Sequence, residues 1–75
     1  MKFNERLKEL RLTSAFMQKE LAQIIGVSVR TFQSYEHGTI EPNISKLIAL
    51  ADVFNVSLDY LVCRDFPESP LRNTK

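Results

Sequence analysis

The stretch from Gln18 to Gly38 reads QKELAQIIGVSVRTFQSYEHG, and it decides the fold. Leu21, Ala22 and Ile25 recur at helical spacing, predicting a helix over residues 18–25. Gly26 stops that helix as a left-handed cap, where the missing Cβ removes the steric cost. Ser28 follows almost at once as the N-cap of another helix, running from Val29 to about His37 and closed by Gly38. Two helices joined by so short a link must cross steeply, and a small residue has to stand where their axes meet. Ala22 sits at that place, while Leu21, Ile25, Val27, Phe32 and Tyr35 supply apolar anchors on both helices.

Upstream, Phe3, Leu7 and Leu10 recur at i, i+4 and i+7, predicting an amphipathic first helix from about Asn4 to Leu12, ended by Thr13-Ser14. Downstream, Thr39-Ile40-Glu41-Pro42 reads as a loop, because Pro42 pushes Glu41 out of helical geometry. Asn43 caps a fourth helix whose inner face is expected to carry Ile44, Leu47, Ile48, Ala51 and Phe54. Ser57 caps a short fifth helix with Leu58, Leu61 and Val62. From Arg64 onward two prolines and mostly polar residues read as a tail. The expectation is an all-α chain of five helices, with one domain over residues 1–63 and a flexible tail over 64–75.

Composition narrows the function classes. The chain has 75 residues, 44% hydrophobic and 25% charged, which is ordinary for one small globular domain. No apolar run approaches the ~18 residues of a membrane-spanning helix, and the charged N-terminus has no stretch of signal-peptide length. One cysteine, Cys63, excludes an intramolecular disulfide, which fits a reducing cytoplasm. One His and one Cys fall short of a zinc-ligand set, so no zinc site is expected. His37 stands alone next to Gly38 and Cys63 has no general base near it in sequence, so catalysis is not expected. The net charge is only +1, but it is uneven: residues 1–38 carry two excess positive charges and residues 39–75 one excess negative. A nucleic-acid partner would therefore have to be attracted by a local surface.

Helix, tight glycine turn, helix is the helix-turn-helix arrangement, whose second helix projects and can enter a DNA major groove. The stretch resembles the Cro/phage-repressor-like, or XRE-type, helix-turn-helix family. The resemblance is carried by Gln18, Leu21-Ala22, Gly26-Val27-Ser28, Tyr35-Glu36, Gly38, Pro42 and the run LIALADVFNVSLDYLV, and it extends from residue 3 to about 62. It implies a five-helix, lambda-repressor-like DNA-binding domain with the motif at helices 2 and 3. It further implies a homodimer on a roughly palindromic operator, without catalysis or cofactor.

Residue roles follow from the family pattern. Val29, Arg30, Gln33 and Ser34, opposite the buried Phe32 and Tyr35, match the base-reading positions. Arg30 can pair with guanine O6 and N7, Gln33 suits adenine, Val29 offers apolar contact to a thymine methyl, and Ser34 is permissive. The alternative for Arg30 is a phosphate contact alone. Gln18 opens the second helix where its amide and the free backbone N–H groups can hold a phosphate, or it is simply a polar first-turn residue. Thr39, Asn43 and Lys46 lie where the family meets the DNA backbone, and Lys19, Ser28 and Thr31 are further phosphate candidates. Arg11 and Glu36 match a pair that orients the recognition helix, the alternative being an ordinary surface contact.

Three features depart from the pattern. Met17 stands where Thr or Ser commonly caps the second helix, at a cost of about 1 kcal/mol unless Thr13 or Ser14 substitutes. Phe16 and Met17 can pack as a staple against Leu21 instead. Ile24 and Ile40 are apolar at positions usually polar. Because one recognition helix spans only a few base pairs, a dimer on half-sites about one turn (~34 Å) apart is expected, with Tyr60 and Phe66 as interface candidates. The resemblance implies relatives that carry a second sensing domain, and none is expected in the residues after 63. The competing reading is an antitoxin or interaction module of the same fold, with a protein as main partner.

Overall fold

The computed structural model describes residues 1–64. Five helices occupy them: α1 Phe3–Thr13, α2 Gln18–Ile25, α3 Val29–His37, α4 Ile44–Phe54 and α5 Leu58–Leu61. Each boundary has a local cause. Ser28, Asn43 and Ser57 accept the backbone N–H of Thr31, Lys46 and Tyr60 respectively, each at 3.0 Å, and so open α3, α4 and α5. Gly26 (φ 79°) and Gly38 (φ 83°) close α2 and α3 in the left-handed region, and Asn55 (φ 57°) does the same for α4.

Met17 makes no side-chain cap, and Ser14 ends α1 instead of serving α2. The compensation comes from inside the helix: Glu20 reaches back to accept the Met17 backbone N–H at 2.8 Å, half of a capping box. Phe16 packs on the core and meets Phe54 edge-on at 6.3 Å. Met17, expected beside it, is exposed.

The centre of the core takes one fully buried side chain from every helix: Leu7, Leu21, Phe32, Leu50 and Leu61. Ala22, Ile25, Tyr35 and Ala51 complete it, with Val27, Leu47 and Phe54 packed at its edge. α3 packs against both α2 and α1, and α5 against α4 and α1. α3 is thus held on two sides while its third side faces outward.

One expectation is corrected on α4. Ile44 and Ile48 are 64% and 48% exposed, and the buried stripe is Leu47, Leu50, Ala51 and Phe54. At 100° per residue, Ile44 and Ile48 lie roughly 70–110° around the helix from the centre of that stripe. With apolar residues at 44, 47–51, 53 and 54, periodicity alone could not tell which neighbouring arc faces inward. Ile24 and Ile40 are exposed, as their positions suggested.

Candidate nucleic-acid interface

α3 has two faces. Phe32 and Tyr35 are 0% and 5% exposed and contact each other edge-on, fixing the rotation of the helix about its axis. That rotation leaves Val29 and Arg30 exposed, with Gln33 and Ser34 half-buried on the outward side. Among the described residues no salt bridge joins Arg30 to a carboxylate. Ser34 Oγ donates to the Arg30 carbonyl at 3.1 Å, so the hydroxyl is turned along the helix.

Ala22 is 1% exposed in the α2–α3 contact, and its carbonyl accepts the Val27 N–H at 2.9 Å. The left-handed Gly26 turns the chain from α2 into α3, and the two helices pack against each other.

Beneath the outward face runs a chain of four side chains. Arg11 Nε donates to Glu36 Oε2 at 2.6 Å, and Arg11 Nη2 to Glu36 Oε1 at 3.3 Å. Gln18 Nε2 donates to the same Oε1 at 2.9 Å, and Gln33 Nε2 donates to Gln18 Oε1 at 3.2 Å. The Glu36 side chain is only 3% exposed and that of Arg11 12%, so this is a buried, oriented pair. Arg11 Nη1 also donates to the Phe16 carbonyl at 3.3 Å, tying α1 to the turn before α2. Gln18, expected to hold a phosphate, is therefore anchored on its inner side by Glu36 and Gln33.

The other backbone-contact candidates divide. Lys19 is exposed at the start of α2. Ser28 and Thr31 hydrogen-bond each other's hydroxyls at 3.0 Å, and Thr39 Oγ1 donates to the Ser34 carbonyl at 3.3 Å. Asn43 Oδ1 is used by the Lys46 N–H and by the Ser45 hydroxyl, each at 3.0 Å. Lys46 Nζ donates to the Ile25 carbonyl at 2.9 Å, so its ammonium caps the C-terminus of α2 as well as lying near the motif. Tyr60 is 39% exposed and carries Arg6 over its ring; Phe66 lies outside the described residues.

The sequence missed the Gln33–Gln18–Glu36 connection, because positions 15 and 18 residues apart carry no local signal. It also missed Ala15, which adopts φ 62° in the turn between α1 and α2.

This arrangement is shared. The helix-turn-helix family model matches residues 7–61. The chain belongs to the helix-turn-helix family. The P22 c2 repressor protein, solved in complex with a synthetic operator, superposes with a TM-score of 0.80 at 31% identity, over 87% of this chain and 98% of that one. A transcriptional regulator from Listeria innocua gives a TM-score of 0.83 at 32% identity, over 92% of this chain and 64% of that one. In sequence, the helix-turn-helix-type transcriptional regulator ImmR of Bacillus subtilis is 34% identical over 65 residues, 87% of this chain and 51% of the relative. The chain spans about half the length of the curated relatives it matches. No described helix is long and apolar enough to cross a membrane.

Proposed function

We propose that this helix-turn-helix protein binds double-stranded DNA sequence-specifically and regulates transcription as a repressor, with α3 in the major groove. The observation that carries the reading is the outward face of α3, where Arg30 stands unpaired among the described residues beside Gln33 while Phe32 and Tyr35 lock the opposite face. The likeness to a repressor bound to its operator supports it.

Val29, Arg30, Gln33 and Ser34 read bases in this proposal. Gln18, Lys19, Ser28, Thr31, Thr39, Asn43 and Lys46 meet the backbone, partly through N–H groups at helix starts. Residues 1–63 form the binding domain and 64–75 its tail. The protein acts as a cytoplasmic homodimer, with Tyr60 and Phe66 as interface candidates, because one α3 spans too few base pairs for useful selectivity. Catalysis has no place in this reading.

Selection from a random duplex pool, followed by binding across a salt series, tests it. The parent should enrich a two-fold motif and lose affinity steeply with salt. Arg30→Ala and Gln33→Ala should each relax one position, by roughly 1–3 kcal/mol. A parent that enriches nothing, or a flat salt dependence, overturns the proposal.

A further inference from the structure

We infer that Glu36, which faces the protein interior, fixes which base Gln33 accepts, acting through Gln18 as a positioning residue. This rests on the proposed reading of DNA by α3. The argument begins at the carboxylate. A carboxylate only accepts hydrogen bonds, and here it is held in place by two N–H groups of Arg11. Gln18 must therefore turn its NH2 toward Glu36, as it does at 2.9 Å.

That choice leaves no freedom further along. The other end of the Gln18 amide is its Oε1, also an acceptor, so Gln33 must turn its own NH2 inward to meet it, at 3.2 Å. Reversing the Gln33 amide would set two carbonyl oxygens against each other. Gln33 is left with its Oε1 and one remaining N–H, in a fixed order, to present to the duplex.

Order matters in the major groove. Adenine shows an acceptor (N7) and a donor (N6–H), and turning an A·T pair into T·A reverses their sequence across the groove. A glutamine free to flip its amide can satisfy either order. One whose amide is set by a buried carboxylate two hydrogen bonds away satisfies only one. Glu36 thus acts on specificity from a position that never touches DNA.

The test is random-pool selection with the full chain and three variants, alongside thermal melts. Gln33→Ala first marks the base position that depends on Gln33. Gln18→Met cuts the chain while leaving the Arg11–Glu36 pair intact, and Glu36→Gln replaces the acceptor-only group with an amide that can face either way. In the parent, A·T over T·A at the marked position should be preferred roughly 5- to 150-fold. Both Gln18→Met and Glu36→Gln should flatten it to within about threefold, while the preference that depends on Arg30 stays. A purely structural role would lower binding to all sites alike and leave the pattern of preferences unchanged. A folded Gln18→Met protein that keeps the parent's preference at the marked position, or loses preference evenly everywhere, overturns the inference. A parent that selects no sequence overturns the underlying DNA-binding reading, and this one with it.

Discussion

The Arg6 guanidinium lies over the Tyr60 ring, 3.9 Å from its centroid, while its Nη1 donates to the Tyr60 backbone carbonyl at 2.8 Å. These two contacts bridge 54 residues of sequence and pin the four-residue α5 to α1. A helix of one turn has almost no stability of its own, so its place depends on such ties and on buried Leu61. The Arg6 side chain is 12% exposed, which leaves both contacts partly desolvated. Arg6→Ala should destabilise the domain by about 2 kcal/mol, a fall in Tm of roughly 10 °C. A thermal melt that moves by less than about 3 °C would show that α5 is held by its apolar contacts alone.

Removing one partner of the buried ion pair should cost far more than the pair itself contributes. Arg11→Ala strands the Glu36 carboxylate, 3% exposed, with the Gln18 amide as its remaining side-chain donor. The expected loss is roughly 3–5 kcal/mol, a large share of the stability of so small a domain. Arg11→Met combined with Glu36→Leu should recover much of it, because no charge is then buried alone. Urea unfolding of the single and double variants checks the order. A double variant less stable than Arg11→Ala would refute the argument.

Enlarging the residue between α2 and α3 should injure both stability and the proposed DNA binding. Ala22→Leu inserts three carbons into a site 1% exposed, with an expected cost of about 1–3 kcal/mol from overpacking. Because the strain falls between the two helices of the motif, affinity for a selected duplex should drop by more than the melt alone accounts for. Equal affinity at a temperature where the variant is fully folded would argue against it.

Backbone conformation gives a pair of opposite predictions. Gly38 has φ 83°, and a Cβ there would stand 3.3 Å from the Asn4 side chain, whose Nδ2 donates to the Glu36 carbonyl at 3.4 Å. Gly38→Ala should therefore cost about 1–3 kcal/mol, from left-handed strain and a displaced Asn4. Ala15, at φ 62°, already bears that strain, so Ala15→Gly should be stabilising by up to about 1 kcal/mol. Denaturant midpoints moving the same way for both variants would contradict this account.

Lys19 and Lys46 separate an exposed charge from one engaged at a helix end. Lys19 is exposed, whereas Lys46 Nζ bonds the Ile25 carbonyl and lies 3.5 Å from where a Gly26 Cβ would be. Lys19→Met should weaken binding to all duplexes and reduce the salt slope by about 1, with little change in Tm. Lys46→Met should also lower the melting point, through loss of the helix cap. A Lys46→Met protein as stable as the parent would remove the structural half of that role.

The sequence determined what could be decided within a turn or two of chain. Ser28, Asn43 and Ser57 announced three helix starts, Gly26 and Gly38 two helix ends, and the period of Leu21, Ala22 and Ile25 the inward side of α2. Those signals are local hydrogen bonds and local sterics, so a linear reading reaches them. Tertiary structure alone decided which arc of α4 faces inward, leaving Ile44 and Ile48 exposed, because an abundance of apolar residues gives a helix several equivalent sides until neighbours choose one. It alone also joined Gln33 and Gln18 to Glu36, whose pairing with Arg11 the family resemblance had implied, since a hydrogen bond needs its partners within about 3 Å and only the packing of α2 against α3 brings residues so distant in sequence that close.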